Sequence, residues 1–219
     1  MNFIKSFILL LSLVIVQLPI EAKITLEYRY IELKIESNSN ITYAIAVLDK
    51  REVVTIKRQG PEFVGYSRTM AMIAYPISTK SGNTFADDVT FTISNAIQKS
   101  GAKITQVSTI FSMDTAAVIN KLKATNADKL ILVIIDEWRN DTRPWHLKFA
   151  TEMLWNIRLQ LHDGTGELKA ENKVEGRDGG IDPFKGGTIK KVQAITDRYY
   201  KQKMEMLFSG ESIAAYLKD

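Results

Sequence analysis

The chain contains no cysteine. No disulfide can staple the fold, no thiol can serve as nucleophile or metal ligand, and the lipidated N-terminal cysteine of a bacterial lipoprotein cannot form. Histidine is scarce too: His146 and His162 are the only two, separated by 15 residues. A zinc site would therefore need carboxylate ligands from elsewhere. His146 follows Trp145 at a strand start and His162 ends a strand before a turn, positions where histidine is usually solvated. A Gly-x-Ser-x-Gly elbow is missing, and Gly65-Tyr66-Ser67-Arg68 is not a substitute. The glycines before Thr188 lack the Gly-Lys-Ser/Thr ending of a phosphate loop, and the polar stretch Lys173 to Asp178 does not read as the buried strand such a loop follows. An excess of one charge is also lacking: 29 Lys and Arg face 25 Asp and Glu, a net +4. These absences leave no catalytic residue, metal ligand set or cofactor to assign, and the expectation is a protein that is not an enzyme.

Long apolar runs are absent everywhere but the N-terminus. Lys5 precedes the run Ser6 to Leu18, Pro19 breaks it, and Ala22 supplies the small residue before a cut, which is the order of a secretory signal peptide. The run falls short of the ~20 residues that span a bilayer. Ile20 stands where alanine is commoner, so cleavage and retention as an anchor both stay open. The expected layout is a signal peptide at 1–22, an N-terminal extended segment at 23–40, and one domain at 41–219. Removing residues 1–22 takes away Lys5 and Glu21 and leaves the net charge unchanged. The expected location is the periplasm, with membrane association only if the signal is uncleaved and with no nucleic acid as partner.

Along the rest of the chain, Ile24, Leu26, Tyr28 and Tyr30 alternate with polar residues. Ile31, Leu33 and Ile35 continue on the other parity, predicting extended structure with a bulge or bend. A strand is predicted at 41–48, a short third strand at Val53–Ile56, and a loop at 57–69 around Gly60, Pro61 and Gly65. An apolar segment at Met70–Ile77 follows. A helix should start near Phe85 under a Thr84 or Ser81 cap, bury Phe85, Val89, Ile93, Ala96 and Ile97, and stop at Gly101. A short strand at 103–109 and a helix capped by Asp114 come next. Leu130–Ile135 reads as a central strand covered on both faces. Residues 147–161 alternate cleanly in one register, and Asp163-Gly164-Thr165-Gly166 is a hairpin turn into a return strand from Leu168. Gly176–Gly187 reads as a flexible glycine loop. A long helix from Thr188 should bury Ile189, Val192, Ile195, Tyr199, Met206 and Leu207, with a last turn split off at Gly210.

Two acidic pairs stand out. Asp87-Asp88 opens a helix, where acids suit the dipole. Asp136-Glu137 ends the central strand, where one of the two should pair with Arg139 or Arg143. The basic stretch Lys185 to Lys203 is interrupted by Asp197 and reads as a solvated helix face.

Several segments together resemble a known family. They are Tyr43-Ala-Ile-Ala-Val-Leu-Asp49-Lys-Arg51, Phe63-Val-Gly65-Tyr-Ser67-Arg68, and Thr79 to Asp88 leading into a helix. The run Ile135-Asp-Glu-Trp138-Arg-Asn-Asp141 with Trp145, and the Asp163-Gly164 hairpin, complete the set. The ordering is similar to the small bacterial envelope proteins of the YajG-like lipoprotein type, over about residues 41 to 217, here without the lipidated cysteine. The resemblance implies an α+β, periplasm-facing, non-enzymatic domain and supplies no catalytic residues.

The expected fold is a single α+β domain, a mixed or mainly antiparallel sheet with two or three helices packed largely on one face. The expected function is an envelope accessory protein acting through protein contacts, with Tyr66, Arg68, Trp138, Arg139 and Trp145 as binding residues because aromatics and arginine concentrate at interface hot spots. The alternatives are that both tryptophans cap the core, or that these side chains line the pocket of a small-molecule or glycan-binding domain.

Overall fold

A computed structural model describes residues 24–145, 148–182 and 189–219. The expected signal peptide therefore lies outside the described residues, as does His146. Among the described residues, eight strands form one mixed sheet and five helices pack on it, which is the expected α+β class.

The sheet is organised by its longest strand, β6 (Lys129–Trp145). One edge of β6 is taken along its whole length by antiparallel β7 (Lys148–Asp163), which β8 (Leu168–Asp182) extends. The other edge is shared. Its first half pairs in parallel with β2 (Thr42–Asp49), and beyond β2 lies β5 (Lys103–Gln106). Its second half pairs in parallel with β3 (Phe63–Arg68), followed by β4 (Ala74–Thr79) and β1 (Ile24–Leu26).

The switch between the two halves is a β-bulge at Asp136, where Ile135 pairs with Ile157 but Glu137 pairs with Asn156. One extra residue reverses which side each following residue faces. Ile131, Val133 and Ile135 point into the main core, and past the bulge Trp138, Asn140 and Thr142 are the buried residues.

Where β2 leaves β6, backbone carbonyls would lack partners. Arg51 fills that seam. Its guanidinium is 1% exposed, pairs with both Asp49 carboxylate oxygens at 2.9 and 2.7 Å, and donates to the carbonyls of Phe63, Pro61 and Trp138. A buried arginine so engaged has its charge and most of its donors compensated.

Three helices cover one face: α2 (Phe85–Lys99), α4 (Ile189–Phe208) and α5 (Glu211–Lys218). Between them and the sheet sits an aromatic cluster of Tyr28, Phe85, Trp138 and Tyr200, with ring centroids 4.9 to 6.4 Å apart. Helix α3 (Thr115–Lys123) covers the other face, burying Val118 and Leu122 against Leu130, Leu132 and Ile134. The caps follow expectation: Thr84 and Asp114 accept from the amides of Asp87 and Ala117. Ser81 instead bonds Asp88.

Several expectations are corrected. Val53–Ile56 is not a strand; Glu52–Thr55 is a single helical turn, α1, because the amides of Val54 and Thr55 both return to the Arg51 carbonyl. The 57–69 loop contains β3. Gly65 belongs to that strand because a Cβ there would lie 1.9 Å from the Asn140 carbonyl oxygen, so only glycine allows β3 to approach β6. The glycine stretch from Gly176 to Asp182 is the second half of β8, and residues 183–188 lie outside the described residues. A Cβ on Gly176 would come within 2.9 Å of the Trp155 ring. Polar sequence in β8 reflects its place at the sheet edge. The predicted strand at 103–109 stops pairing at Gln106. Only Ile24–Leu26 of the N-terminal stretch is a strand, yet Tyr28, Leu33 and Ile35 are buried in the same core as the rest. The buried stripe of α4 runs through Thr196, Tyr200, Met204 and Leu207, whereas Met206 is 45% exposed. His162 is buried, with Nδ1 3.1 Å from the Gly166 carbonyl.

Candidate functional site

The two segments that carry the sequence-predicted contact residues are neighbours in the sheet. Tyr66 on β3 pairs with Asp141 on β6, and Ser67 with Thr142. Arg68 makes a two-pronged ion pair with Asp141, both bonds 2.9 Å. That carboxylate holds the Arg68 guanidinium above its ordinary pKa, chiefly by hydrogen bonding. Arg139, two residues before Asp141, faces the same side of the sheet, with Glu137 at 3.9 Å.

The bulge sends Trp138 the other way. It is fully buried, lies stacked on Phe85 at 5.6 Å, and donates its indole N–H to the Tyr28 hydroxyl at 3.2 Å. It is a core residue and is removed from the predicted contact set. Trp138 and Arg68 occupy opposite faces of the sheet, so they cannot line one pocket. Trp145 ends β6 at the register position of Lys148.

The face bearing Tyr66, Arg68 and Arg139 continues across β7 and β8. Helix α3 covers only the half beside Leu130–Ile134. The remainder is a charged platform whose cations are matched by anions: Arg158 with Asp136, Arg177 with Glu152, and Lys173 with Glu175. Of the acidic pair, Glu137 meets Arg139 as expected, while Asp136 finds its partner on β7. Adjacent-residue reasoning missed this because the partner is 22 residues away.

The carboxyl ends of β2 and β5 offer a different environment. A half-open crevice of about 320 Å³ lies outside them, against the first turns of α2. Arg29, Asn83, Asp87, Gln106, Ser108 and Thr109 are among its lining residues. Beside it, Asp88 is fully buried. Burial pushes its carboxyl pKa up, opposed by hydrogen bonds from the Ser81 hydroxyl at 2.7 and 2.8 Å and by Arg29 at 3.5 Å. Arg29 also lies 3.7 Å over the Phe91 ring. A second groove, about 470 Å³, runs between residues 29–33 and α2. Among the described residues no cluster of three or more acidic or histidine side chains could hold a metal ion, and no helix is long and apolar enough to cross a membrane.

Sequence reasoning missed Arg51 and Asp88. Both are charged residues inside the core, and their only signal was an acid close in sequence (Asp49) or a hydroxyl and a cation remote from it.

No protein-family profile and no curated protein matches the chain. Among solved structures it is similar to a Helicobacter pylori protein named as a homologue of neuraminyllactose-binding hemagglutinin, with TM-score 0.39 and 7% identity over 85% of this chain and 95% of that one. It is also similar to a lipoprotein from Neisseria meningitidis, with TM-score 0.31 and 12% identity over 73% and 97% of the two chains. A hypothetical protein from Chlamydia trachomatis gives TM-score 0.36 and 10% identity over 80% and 94%.

Proposed function

We propose that this chain is an exported, non-enzymatic accessory protein of the bacterial cell envelope, of the YajG-like type, acting in the periplasm through contact with another envelope protein. The observation that carries the reading is the uncovered outer face of β3, β6, β7 and β8. It is rich in arginine and acid, and Arg68, Arg158 and Arg177 are held in place by carboxylates on neighbouring strands. An arginine fixed by a bidentate carboxylate loses little further freedom when a partner arrives, which lowers the entropic cost of association. Tyr66, Arg68 and Arg139 would form the aromatic and guanidinium centre of such a contact.

The test is capture of partners from solubilised envelopes, comparing the wild-type protein with Arg68→Glu/Arg139→Glu. A specific protein retained by the former and lost by the latter is the expected result, with unchanged circular dichroism in both. A second reading is favoured by the polar crevice beside α2, since ligands of open α/β sheets bind outside the carboxyl ends of parallel strands. A sugar or other small molecule found by mass spectrometry with the purified protein, and no protein partner, would transfer the function to that crevice.

A further inference from the structure

The apolar segment that begins at Met70 has no place in the contact face just described. It forms the tip of the β3–β4 hairpin. Met70, Met72 and Ile73 are 75, 51 and 56% exposed there, three large apolar side chains on one projecting turn. Such clustering on a soluble surface marks an interaction site. The turn is closed from within: Thr69 N–H donates to the Ile73 carbonyl at 3.0 Å, Met72 N–H to the Thr69 carbonyl at 2.9 Å, and Ile73 N–H to the Thr69 hydroxyl at 3.2 Å. Met72 adopts a left-handed backbone with φ 62°. Glycine or asparagine would suit that conformation, so methionine stands where the backbone disfavours it.

We propose that this hairpin tip inserts into the interfacial layer of an anionic lipid bilayer and docks the domain on a membrane surface independently of residues 1–22. Three features select a bilayer over a protein partner. The tip is convex and holds three apolar side chains, whereas a standard protein interface takes roughly 800 Å² from each partner. Its internally bonded turn can enter a water-poor layer with those backbone groups satisfied. The tip and the neighbouring end of β6 also carry cations rather than acids, Asp141 below them being paired with Arg68. No acidic residue occurs from Phe63 to Ala86 or from Thr142 to Thr151.

The neighbouring hairpin supports the same geometry. Because Ser67 pairs in parallel with Thr142, the β3–β4 tip and the β6–β7 end project from the same end of the sheet. Arg143 is exposed on β6, and Trp145 and Lys148 occupy the last paired rung. Arg68 just below the tip is bonded to Asp141, and the exposed Arg143 is the cation placed for lipid phosphates.

The absence of cysteine makes the test direct. Met70→Cys in the full chain carries an environment-sensitive fluorophore, and Glu167→Cys, in the turn at the other end of β7, carries the control. Each is mixed with vesicles of phosphatidylglycerol and phosphatidylcholine. The expected result is a blue shift at position 70, quenched by acyl-chain spin labels, with no shift at 167. Met70→Glu/Ile73→Glu should bind these vesicles at least about tenfold more weakly while unfolding at the wild-type temperature. Raised salt or purely neutral lipid should weaken binding as well. Vesicle binding with the position-70 probe still in water, or no vesicle binding, overturns the proposal. The tip variant leaves Tyr66, Arg68 and Arg139 intact, so this result is separable from the partner-capture experiment.

Discussion

Trp138 shows how one residue's surroundings decide its role. With an indole wholly enclosed by Phe85, Tyr28 and Tyr200, Trp138→Ala should destabilise the protein by roughly 3–5 kcal/mol. A lowered denaturation midpoint would show this. Arg51→Ala should cost about as much, because it strands the Asp49 carboxylate, itself 4% exposed. The double change Asp49→Asn/Arg51→Met should recover part of that loss, since the buried charge is then gone. Two carboxyls give opposite pH trends. Burial raises the folded-state pKa of Asp88, so its contribution is fully present below the unfolded carboxyl pKa and is lost as pH rises through the folded value. Asp163 is held below its ordinary value by the Thr165 hydroxyl, with backbone amides and Lys169 adding to this. Its contribution is present above the ordinary pKa and is lost as pH falls through the folded value. Unfolding midpoints across the acidic range should therefore fall less steeply with rising pH in Asp88→Asn. They should fall less steeply with falling pH in Asp163→Asn. An unchanged slope in Asp88→Asn would mean that its carboxyl titrates as it does in water.

Among the elements, those with a local cause were legible. Thr84 and Asp114 cap helices because their side chains reach amides three residues on, and the turn at Asp163–Gly166 is a local motif. Elements made by distant partners were not. Nothing near Gly65 announces that the Asn140 carbonyl will press against it, so a strand looked like a loop. Gly176 likewise makes room for Trp155, 21 residues earlier in the chain. The bulge at Asp136 was hidden because the core-facing residues beyond Trp138 are Asn140 and Thr142. These are polar groups satisfied by Thr196 and by each other, and they erase the apolar alternation. Gly65→Ala should cost more than about 2 kcal/mol by forcing β3 from β6, with faster amide exchange in both strands. Deleting Asp136 should be milder. Ile135 and Glu137 then alternate without the bulge, and Trp138 still faces the core. The expected outcome is a modest fall in unfolding midpoint from the lost Arg158 ion pair, with cooperativity kept.

At the scale of the whole molecule, the fold class was readable from periodicity, and residue types picked out two segments, on β3 and β6, that the sheet makes neighbours. Which of their side chains share a face was not readable, because a bulge decides it. Tyr66, Arg68 and Arg139 share the uncovered face, while Trp138 lies behind it. The ends of the described fold also interlock. Asn38 N–H and the Tyr43 hydroxyl donate to the Leu217 carbonyl, Lys129 to that of Tyr216, and Ile213 and Leu217 are buried in the core that holds Leu26 and Tyr28. A chain ending at Ser209 should therefore show helix by circular dichroism but no sharp thermal transition. The same closure governs the order of events during translation. Until Leu217 has left the ribosome, the core that holds Leu26 and Tyr28 lacks its last helix, and the domain cannot close while most of it is being made. Contacts spanning that much chain form slowly, on the order of milliseconds to seconds. An open, slow-folding polypeptide is the form that a narrow protein-conducting channel can thread.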